Sequence, residues 1–179
     1  ISSFILNATH YGIPQKRQRL IMVGLRDDLS VKTIEKPPYV ISDEKQWIPL
    51  KKVIKSLIPE DDKYYFSKKA IEGVKKAKNN MKRAVVQDMN GPCLTITSHL
   101  AKVSINSRDP VLLVNPQKEM YRRFTTREAA RIQSFPENFI FTGSEGDAYR
   151  QIGNAVPPVL MWHVTNHILN ILKKNSNDF

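Results

Sequence analysis

The sequence predicts a mixed α+β fold, and three observations carry that expectation. Two apolar, strand-like runs open the chain. A stretch rich in β-branched residues occupies residues 84–114. Two segments with helical periodicity and recognisable start signals lie near the end. At 179 residues, 41% of them apolar, the chain is long enough for one domain, or for a small domain plus part of another.

Residues 3–8 and 19–25 read as neighbouring strands, joined by a basic loop containing Gly12 and Pro14. Residues 30–49, with Pro37-Pro38 and Pro49, suit a linker between modules. Residues 50–58 fit a short amphipathic helix, ended by Pro59 and the acidic turn Glu60-Asp61-Asp62. A basic amphipathic helix is expected over 63–83, where eight Lys/Arg face a single acid, Glu72, and Ala70, Ile71, Val74, Ala77 and Met81 share a face. Gly73 weakens that helix by about 1 kcal/mol.

Within 84–114, the runs 85–86, 94–97, 103–105 and 111–114 read as short strands, punctuated by Gly91-Pro92 and Asp109-Pro110. Thr125 and Glu128 have capping-box spacing, and Ala129, Ala130, Ile132 and Gln133 continue that helix until Pro136. An internal Arg/Glu pair on it could fasten two modules. The last helix starts near Pro157-Pro158, with Leu160, Val164, Ile168 and Ile171/Leu172 as its core stripe. The polar tail 173–178 is expected to fray.

Charge points towards a polyanionic partner. The formal net charge is +11, and residues 1–90 hold 18 basic against 10 acidic side chains. A solvated basic face accounts for the 63–83 stretch equally well. One cysteine excludes a disulfide framework and a Cys-rich zinc site, so no metal is expected and a reduced, cytoplasmic setting fits. No apolar run approaches the roughly 18 residues of a membrane span, and no signal peptide is visible.

Three segments could carry chemistry. In Gln15-Lys16-Arg17-Gln18-Arg19, alternation puts Gln15, Arg17 and Arg19 on one face of an extended chain. Such a row could hold a phosphate or the carbonyl edge of a pyrimidine, or form a surface salt-bridge row. Gln151-Ile152-Gly153-Asn154-Ala155-Val156 reads as a loop of small residues before a helix, able to let a ligand approach the backbone or to serve structure alone. Residues 125–136 read as a capped structural helix.

In this order and spacing, the three segments resemble the C5-cytosine DNA methyltransferase family. Gln15-x-Arg17-x-Arg19 is similar to that family's motif VIII, residues 123–136 to motif IX, and residues 151–156 to motif X. The region between VIII and IX corresponds to the family's target-recognition domain. Within it, Pro92-Cys93-Leu94-Thr95-Ile96-Thr97 resembles the recurring Thr-hydrophobic step near the flipped base. The resemblance implies four parts: 1–30 as the end of a Rossmann-like catalytic domain, 31–122 for target recognition, 123–148 as a hinge helix, and 149–179 returning to the catalytic domain. It also implies S-adenosyl-L-methionine as cofactor and double-stranded DNA as partner, in a restriction-modification setting. Such enzymes take the target base out of the duplex.

Carried over residue by residue, Arg19 would contact the flipped cytosine or its backbone, and Arg17 and Gln15 would brace the catalytic loop and a nearby phosphate. Thr95 and Ile96 would lie at the DNA, and Asn154, Ala155 and Val156 would line the cofactor pocket. The family's Phe-x-Gly-x-Gly cofactor loop, its Pro-Cys-Gln nucleophile loop and its Glu-Asn-Val strand precede motif VIII and do not occur in this sequence. Pro92-Cys93 is followed by Leu94 and lies between motifs VIII and IX, so Cys93 is expected to be a buried structural thiol. The chain is therefore expected to be a C-terminal portion, inactive alone, completed by an N-terminal catalytic region or a partner subunit. Strand edges and apolar faces left uncovered would favour dimerisation. The alternatives are a specificity subunit of a split methyltransferase, a tRNA cytosine-5 methyltransferase, and an unrelated basic binding module.

Overall fold

The computed structural model describes residues 1–59, 61–76, 85–101 and 109–175. Strands β1 (Ser2–Asn7) and β2 (Gln18–Val23) pair antiparallel, with Phe4 opposite Ile21 and Leu6 opposite Arg19. Their alternation gives two faces. Phe4, Leu6 and Ile21 turn inward onto the C-terminal helix α4 (Pro158–Lys174), where Leu6, Ala8, Tyr11, Ile13, Leu160 and Val164 form one core with Ile168 at its margin. The other face leaves Ile5, Leu20 and Met22 about 60% exposed, so an apolar hairpin face is uncovered, as the sequence suggests. Between the strands, a 3-10 turn (Ala8–Tyr11) ends at Gly12, whose φ of 75° suits a residue without a Cβ.

A second core gathers the middle of the chain with two helices, α2 (Thr126–Ile132) and α3 (Glu145–Asn154). Leu50, Ile54, Cys93, Ile96, Leu100 and Leu112 pack there against Phe124, Ala129, Ala130, Ile132, Tyr149 and Ile152. Its sheet consists of β3 (Val85–Val86), β4 (Pro110–Asn115) and β5 (Met120–Arg122), in the order β3-β4-β5, with the first pair parallel and the second antiparallel.

Several local expectations change. The 50–58 helix contracts to a 3-10 turn, Leu50–Lys52: its first amides, those of Leu50 and Lys51, donate to the carbonyls of Gly91 and Met89, and beyond it the Ser56 and Leu57 carbonyls accept from the Arg122 guanidinium. The acidic turn starts an element instead of ending one: Asp61 caps a 3-10 turn at Asp62–Tyr64. The basic helix is α1 (Lys68–Lys76), and the remainder of the expected span lies outside the described residues. Residues 94–97 form no strand. Side chains take the place of a ladder there: Gln87 accepts from the Leu94 amide, and Gln15 from the Ile96 amide. The expected strand at 103–105 also lies outside the described residues.

The 30–49 stretch is irregular apart from a 3-10 turn, Glu44–Gln46, and it is tied down. Ile34 is buried, Tyr11 donates its hydroxyl to the Pro37 carbonyl, and His10 stacks on Tyr39 with ring centroids 4.0 Å apart. Gln151–Asn154 is the last turn of α3 rather than a loop. Ser144 and Asp147 begin that helix with a capping box of the same kind as Thr125 and Glu128. Of the polar tail, Lys173 and Lys174 complete α4.

Candidate base-side and cofactor-side site

The alternation at 15, 17 and 19 survives folding, but the three side chains meet different surroundings. Gln15 and Arg17 are buried, Arg19 is half-buried, and Lys16 and Gln18 between them are exposed. Ahead of β2, Gln15 and Cys93 form an isolated parallel bridge: the Cys93 amide donates to the Pro14 carbonyl, 2.8 Å, and the Lys16 amide to the Cys93 carbonyl, 2.7 Å. This bridge brings the 93–97 segment alongside the motif VIII strand.

Arg17 crosses the interior. Its Nη1 donates to the Ile96 carbonyl at 2.7 Å, and its Nη2 to the carbonyls of Gly153 and Ala155 at 2.9 and 3.0 Å. Gln15 accepts from the Ile96 amide through Oε1, and its Nε2 donates to Gln133 Oε1, both at 2.8 Å. Gln133 closes the arrangement by donating to the Ile152 carbonyl at 2.6 Å. The two expected brace residues therefore hold backbone of this chain and present no free face to a ligand. The surface salt-bridge reading does not apply to them either.

Charge at this place is unbalanced. No carboxylate pairs with Arg17 among the described residues, and its Nε is buried without a hydrogen-bond partner. Burial, and then the neighbouring Arg19, lower the Arg17 guanidinium to about 10. Burial also lowers Arg19, whose Nη1 reaches only the Gln18 carbonyl, 2.6 Å away. Three carbonyl oxygens offset the burial of Arg17, whereas half-buried Arg19 keeps donors to which an anion or a carbonyl oxygen could bind.

Asn154 and Val156 are exposed, and Ala155 is half-buried. Beneath them, the turn is gripped through its carbonyls by Arg17 and Gln133. Gly153 packs against the backbone of Thr97 and Ser98 so closely that a Cβ would lie 2.2 Å from the Thr97 carbonyl carbon and the Ser98 nitrogen. Thus the 93–97 segment and the 153–156 turn behave as one joined surface. Thr95 is half-buried and donates its hydroxyl to the Lys16 carbonyl. Ile96 buries its side chain completely, which leaves its peptide group, already held on both sides, as the only part near the strand. Its side chain is not at a DNA-facing surface.

Cys93 is a buried structural thiol. It is wholly inaccessible, and burial alone pushes its pKa well above the ordinary range, the reverse of what a nucleophile needs. Helix α2 differs from expectation in its ion pair. Glu128 finds its partner outside the helix: both carboxylate oxygens accept from Arg122 of β5 at 2.8 Å, while one also closes the cap on the Thr125 amide. Arg122 also donates to the carbonyls of Ser56, Leu57 and Arg123. Arg131 pairs with Glu137 beyond the helix end. Among the described residues no cluster of His, Cys, Asp or Glu could hold a metal, and no helix is long and apolar enough to cross a membrane.

The fold and site define a mixed α/β chain in which a small middle region is fastened to an αβ edge through buried arginine and glutamine side chains. Solved methyltransferases share the fold: one from Entamoeba histolytica covers 96% of this chain with a TM-score of 0.63 at 14% identity, and the S. pombe Dnmt2 methyltransferase covers 98% with 0.63 at 17%. Those structures are matched over 53% and 56% of their own length. The chain belongs to the C-5 cytosine-specific DNA methylase family, whose profile matches residues 1–170. Among curated relatives, the type II methyltransferase M.AplI of Arthrospira platensis is 37% identical over 87% of this chain, and M.Sau96I of Staphylococcus aureus is 30% identical over 95%. The chain spans less than half the length of each, 44% and 43%.

Proposed function

We propose that this chain forms the target-recognition and motif VIII to X portion of a DNA (cytosine-5-)-methyltransferase of a restriction-modification system. The observation that carries the proposal is half-buried Arg19, whose fork reaches only the Gln18 carbonyl, standing beside Arg17, which ties the strand to the exposed turn through the Gly153 and Ala155 carbonyls. Arg19, the more accessible cation, meets the displaced cytosine's carbonyl or the phosphate beside it. Arg17 holds the frame and adds its field. A paired surface arginine would have no such demand for a partner.

The exposed amide of Asn154, with the small residue Ala155 and the apolar Val156, fits one wall of an S-adenosyl-L-methionine pocket: their backbone is fixed from below and their side chains are free. When bound, the cofactor supplies an electrophilic methyl group. The attacking thiolate and the glycine-rich cofactor loop come from the rest of the enzyme, because Cys93 is sealed in the core. The exposed apolar face of the β1–β2 hairpin is the surface on which that remainder packs. Residues 1–30 and α4 belong with it, and residues 31–122 face the duplex.

Methyl transfer to duplex DNA by the complete enzyme tests this reading. Arg19→Ala should reduce transfer by a factor of about 100 or more, the scale of one lost charge-stabilising donor, while nonspecific DNA binding changes little. Equal losses in both would reduce Arg19 to a plain phosphate contact. Competition between duplex DNA and tRNA decides the substrate, and activity of this chain without any partner would refute the division of labour.

A further inference from the structure

The interior circuit has a member that neither motif VIII nor motif X contains. Gln133 follows α2 as its C-cap, with Ser134 next at a φ of 65°, so the helix stops there and the Gln133 side chain is free to turn inward. It is wholly buried. Its Oε1 accepts from Gln15 Nε2 at 2.8 Å, and its Nε2 donates to the Ile152 carbonyl at 2.6 Å and, more weakly, to the Ala155 carbonyl at 3.4 Å.

The Ala155 carbonyl therefore sits under two donors, Gln133 and Arg17. The Ile96 peptide group is held at both ends, its amide by Gln15 and its carbonyl by Arg17. The hydrogen bonds form a closed ring from Ile96 through Gln15, Gln133, Ala155 and Arg17 back to Ile96. Each amide can face only one way, since a carbonyl partner demands the nitrogen and an amide partner the oxygen. The ring thus fixes where the 155 carbonyl points, and with it the turn that carries Asn154 and Val156.

We infer that Gln133 is a positioning residue for the methyl donor: it sets the 153–156 turn through the Ile152 and Ala155 carbonyls without touching the donor itself. This inference rests on the proposed function, which makes that turn the donor's wall. It adds a residue, and it separates effects that a purely structural role would keep together. A glutamine that only stabilised the core would, on removal, lower the amount of folded enzyme and leave the KM values of the folded fraction unchanged. A glutamine that positions the turn raises the donor KM selectively.

The test uses the complete enzyme with S-adenosyl-L-methionine and duplex DNA. Gln133→Met keeps the size and removes all the bonds. Gln133→Glu keeps acceptance from Gln15 and, as a carboxylate, loses both donations to the turn. Both should raise the donor KM about tenfold, the scale of one to two net hydrogen bonds, with the DNA KM and kcat within about threefold of wild type. Wild-type donor KM in either variant would overturn the role, as would a Gln133→Glu enzyme that behaves as wild type while Gln133→Met does not. Loss of folded protein in both variants would make Gln133 a stability element and likewise overturn it. A wild-type enzyme that neither binds nor uses the donor would instead overturn the proposed function itself, and this inference with it.

Discussion

Replacing Gly153 by Ala sets two effects of opposite sign against each other. Gly153 lies in the last turn of α3, where Ala is favoured over Gly by about 0.5–1 kcal/mol on backbone grounds. The new Cβ, however, would lie 2.2 Å from the Thr97 carbonyl carbon and the Ser98 nitrogen, and 2.4 Å from the Thr97 oxygen. These are backbone atoms of a segment already held by Arg17 and Gln15, so no rotamer change relieves the clash. Inserting a methyl into such a packed place costs roughly 1–3 kcal/mol, and a backbone obstacle puts Gly153 at the upper end. The net expectation is a loss of about 2 kcal/mol, or about 1 M in the urea midpoint at a slope near 2 kcal/mol/M. Gly146, in the first turn of the same helix, is the internal control. A Cβ there meets only Ser144 Oγ at 3.7 Å, ordinary contact, so Gly146→Ala should raise the midpoint slightly. Denaturant melts of both variants, followed by circular dichroism, decide the matter. A Gly153→Ala protein as stable as Gly146→Ala would refute the close approach of the end of α3 to the 97–98 backbone, and with it the idea that the 93–97 and 153–156 segments form one surface.

Glu128→Ala should be among the most destabilising single changes. It strands the fully buried Arg122 guanidinium and removes half of a capping box, for a loss of about 3–5 kcal/mol and a fall of roughly 10 °C in Tm by calorimetry. Cys93 should resist thiol reagents in the native state and react on unfolding, and Cys93→Ala should leave methyl transfer by the complete enzyme within about threefold while losing about 1 kcal/mol of packing. The same cysteine has a pH signature. Its folded pKa lies above the unfolded value of 9.0, so the stability it contributes is whole below that pH and falls away as pH rises further. Alkaline melts of Cys93→Ala should accordingly show a shallower decline than wild type, and identical declines would place the buried thiol elsewhere.

The parts of the fold written locally were legible in the sequence. The Thr125–Glu128 box, the proline start of α4 and its Leu160–Val164–Ile168 stripe each depend on residues within one or two turns. The Ser144–Asp147 box carried an equal signal for α3, and the glycine and asparagine at 153–154 hid it by resembling a loop. Long-range pairing was not legible. Residues 94–97 have a strand's composition, yet the Leu94 amide turns to the Gln87 side chain, and the Ile96 amide and carbonyl to side chains about 80 positions away, Gln15 and Arg17. The same holds for the 50–58 segment, where the Ser56 and Leu57 carbonyls accept from Arg122, 65 or so positions away, instead of from a following helical turn.

At the site, alternation correctly placed Gln15, Arg17 and Arg19 on one side of the strand, but a period of two carries no information about what that side faces. The answer changes within four residues. Gln15 and Arg17 meet protein carbonyls and amides, so their chemistry is spent on holding two loops in register. Arg19 lies one step further along β2, opposite Leu6, where no such carbonyls reach its fork beyond that of Gln18. Its charge is left over, and Arg17 beside it makes the surplus larger. A motif that looks like three equivalent contacts is therefore better understood as two residues that fix the geometry and one whose donors that geometry leaves open.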